Sequence, residues 1–229
     1  MTAPRVIGVS LFGSRARGDH HPGSDVDLLM WTEGGAPEAT IKANLALSFY
    51  PREMLLEMAS KGDLFAGHLA TEAMEIWDPE GLLRELREAY TPSEDLDQVI
   101  SNASDLGRLL LDRARHFPPD LFNRRAAWVV RTILTARRAR EGEIAYAAAE
   151  ILRGTGSADA ERLLKVKNCV EDVDGLPEAL ERFLCEFGQS DLPKSGLQAW
   201  ARRFEGTGNS FALKTLRQLD CLEPATVYA

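Results

Sequence analysis

Two aspartates interrupt a run of residues that otherwise has the composition of a buried β-strand. The run is VDLLMW, at residues 26–31, and the aspartates are Asp25, directly before it, and Asp27 within it. Side chains of a strand alternate between its two faces, so Asp25 and Asp27 project to the same side. Two carboxylates this close repel each other unless a cation lies between them. Because Mg²⁺ binds through one or two carboxylates together with phosphate oxygens, the spacing predicts a divalent-cation site at the start of this strand.

A second motif precedes the aspartates. The apolar run VIGVSLF, at residues 6–12, predicts a strand, and Gly13 and Ser14 follow it directly. Backbone N–H groups at such a turn, beside a small side chain, can bind phosphate, and Arg15 and Arg17 add positive charge. A phosphate-binding turn facing a carboxylate metal site suits phosphoryl or nucleotidyl transfer. The alternative is a solvated edge strand beside an ordinary basic turn; the order and spacing of the two motifs favour the first interpretation.

The hydrophobic pattern changes in character near residue 90. Before this point, four apolar runs predict strands, and residues 52–73 have a helical pattern that is interrupted around Gly62 and Asp63. The predicted strands are 6–12, 26–31, 43–50 and 74–77. After a capping signature at residues 91–94, helical patterns follow and no strand pattern of comparable quality appears. We therefore expect an α+β protein with a mixed-sheet domain over 1–90 and an all-helical domain over 91–229, ending in a short mobile tail.

Composition argues against several classes of protein. A net charge of −8 and a pI near 5.1 are unlike a general nucleic-acid binder, although a local basic groove remains compatible with them. The N-terminus lacks the features of a signal peptide, and no stretch approaches ~20 apolar residues. The cysteines Cys169, Cys185 and Cys221 are scattered without metal-ligand spacing and are expected to be reduced thiols. We expect a soluble, cytoplasmic protein that does not insert into membranes.

The opening motif also carries a family resemblance. The segment GSRARGDHHPGSDVDLL, at residues 13–29, resembles the signature of the polymerase-β-like nucleotidyltransferase superfamily, a Gly-Ser turn followed after a short loop by Asp-x-Asp. The sequence GSRARG, at residues 13–18, is most similar to small bacterial nucleotidyltransferases, including minimal enzymes of toxin–antitoxin pairs and antibiotic-modifying relatives. Residues 62–78 resemble the helix and last strand that close this domain in bacterial members. The similarity covers roughly the first third of the chain and implies a nucleotidyltransferase-fold sheet there.

The resemblance implies transfer of a nucleoside monophosphate from an NTP or dNTP to a hydroxyl, with release of pyrophosphate. Asp25 and Asp27 would be the catalytic pair and would bind Mg²⁺ or Mn²⁺. The Gly13–Ser14 turn would hold the triphosphate. The nucleotide-binding residues would be Gly13, Ser14, Arg15, Arg17 and Ser24.

One part of the superfamily pattern is missing. Many members carry a third carboxylate on a later strand, as general base and metal ligand, but residues 43–50 contain no acid. Asn44 and Ser48 lie there, and neither can serve as a base at neutral pH. Three explanations remain open. The base comes from the helical part, where Glu141, Glu143 and Glu150 are candidates; a second metal ion arrives with the nucleotide; or the protein binds nucleotide without turning it over.

A cationic face is predicted on the helical pattern at residues 118–140. Arg124, Trp128, Arg131, Thr135 and Arg138 fall at helical spacing, opposite an apolar stripe. Such a face could clamp triphosphate or follow a single strand of nucleic acid; the alternative is a solvated or salt-bridged face. Arg131, in the middle of the pattern, is the nucleotide-binding candidate there.

The sequence does not determine which hydroxyl group accepts the nucleoside monophosphate. Tyr228, next to the end of the chain, is a candidate acceptor hydroxyl, and an ordinary terminus is the alternative. By resemblance, we expect a protein side chain or a growing oligonucleotide as acceptor, in a bacterial toxin–antitoxin or phage-defence setting. The partner would be a short oligonucleotide or a protein encoded nearby. The alternatives are an aminoglycoside-type small-molecule enzyme and a catalytically weak, antitoxin-like binding protein; the pattern does not set the oligomeric state.

Remaining aromatic residues have structural interpretations. The tryptophans Trp31, Trp77 and Trp200 are predicted to lie in the core. His20 and His21 are expected to be exposed in the loop before the aspartates, and His68 to be a satisfied core residue.

Overall fold

The computed structural model describes residues 5–143, 145–189 and 196–220. Its contacts divide the chain into two compact units, Met1–Glu94 and Asp95–Ala229. The first unit contains a mixed sheet and the second is helical, so the predicted α+β class is confirmed. That the units are domains with limits at 90 and 91 remains a prediction.

A five-stranded mixed sheet is the centre of the first unit. Its strands are β1 (Arg5–Phe12), β2 (Val26–Glu33), β3 (Glu38–Lys42), β4 (Leu45–Pro51) and β5 (Met74–Trp77), in the order β3-β4-β2-β1-β5. Strands β2 and β4 are parallel, and the other neighbours are antiparallel. The four predicted strands are confirmed. The fifth, β3, was not predicted because its sequence, EATIK, is short, largely polar and at the edge of the sheet.

Four helices complete the first unit. They are α1 (Gly13–Arg17), α2 (Arg52–Ser60), α3 (Leu64–Glu72) and α4 (Leu82–Ala89). The predicted break between α2 and α3 is confirmed. Gly62 has a φ of +69°, and the backbone of Ser93 occupies the space that a Cβ would need, so only glycine fits there. Asp63 then begins α3, because its Oδ1 accepts hydrogen bonds from the backbone N–H groups of Phe65 (2.8 Å) and Ala66 (3.2 Å).

The core of the first unit lies on one face of the sheet. Leu29 and Trp31 of β2 are fully buried in one apolar cluster with residues of α2, α3 and α4. The indole N–H of Trp31 donates to the Oγ of buried Ser10 at 3.0 Å, which satisfies a polar pair inside the core. Alternation along the strand places Asp27 on this same face. The predicted core position of Trp31 is confirmed.

The core prediction for Trp77 is wrong. Trp77 is 50% exposed because it belongs to β5, the outermost strand next to β1. Trp200 of the second unit is 1% exposed, as predicted. His20 and His21 are exposed, also as predicted.

The second unit is helical throughout its described part, with no strand among residues 95–143, 145–189 and 196–220. Its helices are α5 (Leu96–Asp112), α6 (Pro119–Arg140), α7 (Ala148–Leu152), α8 (Ala158–Lys165), α9 (Leu176–Phe187), α10 (Leu197–Gly206) and α11 (Ser210–Asp220). The predicted apolar stripe of α6 is buried. The predicted cap at residues 91–94 is wrong: Asp95 caps α5, because its carboxylate accepts from the backbone N–H of Gln98 at 3.0 Å. No helix in the described ranges is both long and apolar enough to cross a membrane.

Candidate functional site

The first element of the candidate site is the contact between Asp27 and Gly13. Phe12, at the end of β1, pairs with Asp27 of β2, so Gly13 lies directly beside the carboxylate. The Asp27 Cγ is 3.2 Å from the position that a Cβ on Gly13 would take, and Oδ2 is closer still. Gly13 also has a φ of +72°, where a side chain is strained. The structure therefore brings the Gly-Ser turn and the second aspartate together, at a position that requires glycine for two reasons.

The second element is the loop that carries Ser24 and Asp25 into β2. The guanidinium of Arg15 donates to the carbonyl oxygens of Ser24 (2.9 Å) and Asp25 (3.2 Å). The backbone N–H of Ser24 donates to the carbonyl of His21 at 2.9 Å, and the Ser24 Oγ accepts from the His21 N–H at 2.9 Å. Arg15 and Ser24 thus have structural contacts that fix the loop before Asp25. Their predicted roles in nucleotide binding remain predictions.

The third element is a partly buried charge cluster at the end of α1. Arg17 donates to the Oε2 of Glu72 at 2.6 Å, and the Nε2 of His68 lies 2.7 Å from the same oxygen. The side chains of Arg17, His68 and Glu72 are 17%, 15% and 8% exposed. Asp19 also lies 3.2 Å from Arg17. Burial lowers the pKa of Arg17, but hydrogen bonds and charges from Glu72 and Asp19 outweigh it and the pKa rises, so the guanidinium stays positive with its charge offset.

The strand beside the aspartates carries no carboxylate. In the parallel pair of β2 and β4, Asp27 is opposite Ala46 and Leu29 is opposite Ser48. On the β4 side, the cross-strand neighbour of Asp27 is therefore a methyl group. Among the residues that the structure describes, no group of three or more His, Cys, Asp or Glu side chains could hold a metal ion. The two hard oxygen donors predicted to bind Mg²⁺ or Mn²⁺, Asp25 and Asp27, would need triphosphate and water oxygens to complete the coordination, and their metal-binding role remains a prediction.

The predicted cationic face of α6 makes contacts inside the second unit. Arg131 donates to the carbonyl of Tyr146 at 2.8 Å, and Trp128 stacks on Phe211 with ring centroids 4.2 Å apart. Arg138 forms ion pairs with Glu141 and Glu143, two of the acids considered as a general base. These contacts favour the alternative of a salt-bridged face. A role of Arg131 in nucleotide binding remains a prediction.

The sequence interpretation missed the partners of Arg17. His68 and Glu72 are four residues apart on α3, a spacing that places them on one face of a helix and suggests a pair. That Arg17 joins them follows only from the packing of α1 against α3. Tyr228 and Cys221 lie outside the described residues.

Family comparison identifies the first unit. A family model for the nucleotidyltransferase domain matches residues 2–77, which extend from β1 to β5 and include Gly13, Ser14, Asp25 and Asp27. Residues 2–77 are therefore similar to a nucleotidyltransferase domain, in agreement with the polymerase-β-like resemblance of the motif. This match supports a general nucleotidyl-transfer activity.

Other comparisons add little to the family assignment. The comparison with curated proteins finds no match. Among solved structures, the chain is similar to a nucleotidyltransferase-like protein from Exiguobacterium sibiricum 255-15. The two share 11% identity over 94% of this chain and 75% of that chain, with a TM-score of 0.30.

Proposed function

We propose that this nucleotidyltransferase domain transfers a nucleoside monophosphate from a nucleoside triphosphate to a hydroxyl group, with Asp25 and Asp27 as ligands of Mg²⁺ or Mn²⁺. The observation that carries the proposal is the contact of the Asp27 carboxylate with the backbone of Gly13. The proximity of Gly13 and Asp27 within residues 2–77 supports the proposal of a phosphate-binding turn beside a metal-binding carboxylate.

In the proposed reaction, the acceptor oxygen attacks the α-phosphorus of the nucleotide. The bond from that phosphorus to the bridging oxygen breaks, pyrophosphate leaves, and the acceptor proton passes to a base or to water. Backbone N–H groups of the Gly13–Ser14 turn hold the β and γ phosphates. Asp25 and Asp27 would hold the metal ion, and a bound ion would supply positive charge to offset the charge on the phosphate oxygens and on the leaving group.

The identity of the acceptor is the finer part of the proposal. A protein hydroxyl, with Tyr228 as one candidate, or an oligonucleotide end would be the acceptor, in a bacterial toxin–antitoxin or phage-defence setting in the cytoplasm. An aminoglycoside-type small molecule is the alternative acceptor. Family resemblance supports this setting, and the free thiols of Cys169 and Cys185 are compatible with a reducing compartment.

A second candidate function follows from β4. Because Ala46 is opposite Asp27 and the strand has no acid, a protein that binds nucleotide without turnover, as an antitoxin-like partner, is also compatible with the site. Release of pyrophosphate separates the two candidates, since only a transferase produces it.

The test is to incubate the protein with each labelled ribo- and deoxynucleoside triphosphate, with Mg²⁺ or Mn²⁺, and to resolve protein-bound from free products. We expect Asp25→Asn and Asp27→Asn each to lower transfer by at least about 100-fold, because each removes a ligand of the ion that stabilises the transition state. Glu33→Gln is the matched control, since Glu33 is an exposed acid at the other end of β2. Undiminished transfer in both aspartate variants would refute the assignment. A mass gain in the parent protein that Tyr228→Phe lacks would identify the acceptor.

A further inference from the structure

The helix that follows the Gly-Ser turn cannot hold itself in place. α1 has five residues, and a helix this short has no independent stability in water. It ends at Arg17, and the backbone N–H of the next residue, Gly18, donates to the Ser14 carbonyl at 3.0 Å. The orientation of the turn at its start must therefore come from contacts with other elements.

Two arginines of α1 supply such contacts in two directions. Arg15 holds the carbonyl oxygens of Ser24 and Asp25, which ties α1 to the loop before β2. Arg17 donates to Glu72, which ties α1 to α3.

The start of α1 is also in contact with α3. The ring of Phe12, the residue before α1, packs edge-on against His68, with centroids 5.8 Å apart and planes at 84°. His68 itself lies 2.7 Å from the Glu72 carboxylate. Both ends of the short helix thus meet one His68–Glu72 pair on α3.

We propose that Glu72 is a positioning residue for the nucleotide site. By bringing Arg17 and His68 to one partly buried carboxylate oxygen, Glu72 fixes α1, and with it the Gly13–Ser14 turn, relative to Asp27. In this arrangement Arg17 acts through Glu72 and not as a ligand of phosphate, because Glu72 and Asp19 already offset its charge. The consequence for nucleotide binding rests on the proposed function; the anchoring of α1 does not.

Hydrogen–deuterium exchange tests the anchoring directly. We expect Glu72→Ala to accelerate exchange of the amides of residues 13–19 by about tenfold, and to leave the amides of β2 protected as in the parent. Glu57→Ala is the matched control: Glu57 also pairs with a cation, Lys61 at 2.5 Å, but its side chain is 64% exposed and its ion-pair partner lies outside α1. Glu72→Gln retains an acceptor oxygen and should restore part of the protection. Unchanged exchange in residues 13–19, or equal loss of protection in β2, would overturn the inference.

Binding of inorganic tripolyphosphate in the presence of Mn²⁺ tests the consequence for the site. We expect Glu72→Ala and Arg17→Ala each to weaken this binding by about tenfold, and the double variant to be no weaker than either single variant, because both act through one contact. The affinity for Mn²⁺ alone should not change, whereas a general loss of stability would weaken Mn²⁺ binding as well. A further loss from Arg17→Ala in the Glu72→Ala background would show that Arg17 binds phosphate and would overturn the inference. If the parent binds no tripolyphosphate, the proposed function fails, while the exchange experiment still decides the role of Glu72 in holding α1.

Discussion

Replacement of Gly13 by alanine should disturb the site in two ways. The first is backbone strain: at a φ of +72°, a side chain costs about 1–2 kcal/mol. The second is steric, because the new Cβ would overlap the Oδ2 of Asp27 and would lie 3.2 Å from its Cγ. Either the carboxylate or the turn must then move. A displacement approaching 1 Å at a reacting centre lowers the rate by about 100-fold.

Gly18→Ala is the matched control for backbone strain alone. Gly18 has a φ of +82°, and nothing lies within 4 Å of its Cβ position, so alanine there adds comparable strain without touching Asp27. Both variants should lower the free energy of unfolding by about 1–2 kcal/mol, which corresponds to a fall in Tm of roughly 2–8 °C for a chain of this size.

Three measurements on each variant complete the test: thermal unfolding, Mn²⁺ affinity by calorimetric titration, and the rate of pyrophosphate release. We expect Tm to fall similarly in both variants, and Mn²⁺ affinity and rate to fall only in Gly13→Ala. If Gly13→Ala binds Mn²⁺ as tightly as Gly18→Ala and turns over at the same rate, the contact with Asp27 does not shape the site and the reasoning is wrong.

Two further predictions concern stability. Asp63→Ala should lower the free energy of unfolding by about 1 kcal/mol in urea titration, because the N–H groups at the start of α3 lose their acceptor. Asp63→Asn keeps an acceptor oxygen and should retain most of this stability. Equal losses in the two variants would show that the charge matters and not the hydrogen bond. Arg203→Met should cost about 3–5 kcal/mol, because it removes the guanidinium 2.5 Å from the fully buried carboxylate of Asp105. Lys165→Met is the control, because it breaks only an exposed ion pair and should cost at most about 1 kcal/mol. An equally small loss for Arg203→Met would contradict the claim that Arg203 stabilises the buried carboxylate of Asp105.

The local sequence pattern predicted most elements of the first unit. Short apolar runs predicted four of its five strands, and the Gly62–Asp63 pair predicted the break between α2 and α3. These features depend on residues close together in the chain, through side-chain alternation, positive φ and helix capping. The alternation of β2 likewise placed Asp27 on the face of the sheet that carries Leu29.

Tertiary structure decided which partners the charged and aromatic side chains have. The sequence makes Arg15 and Arg17 candidates for binding phosphate. The fold also gives Arg17 a carboxylate partner 55 residues away, Glu72. Trp77 has the hydrophobicity of a core residue, but its strand lies at the edge of the sheet, where half of the side chain stays exposed. The physical reason is the same in both cases. Local periodicity specifies which face a residue occupies, whereas the partner of a long or large side chain depends on which elements pack against that face.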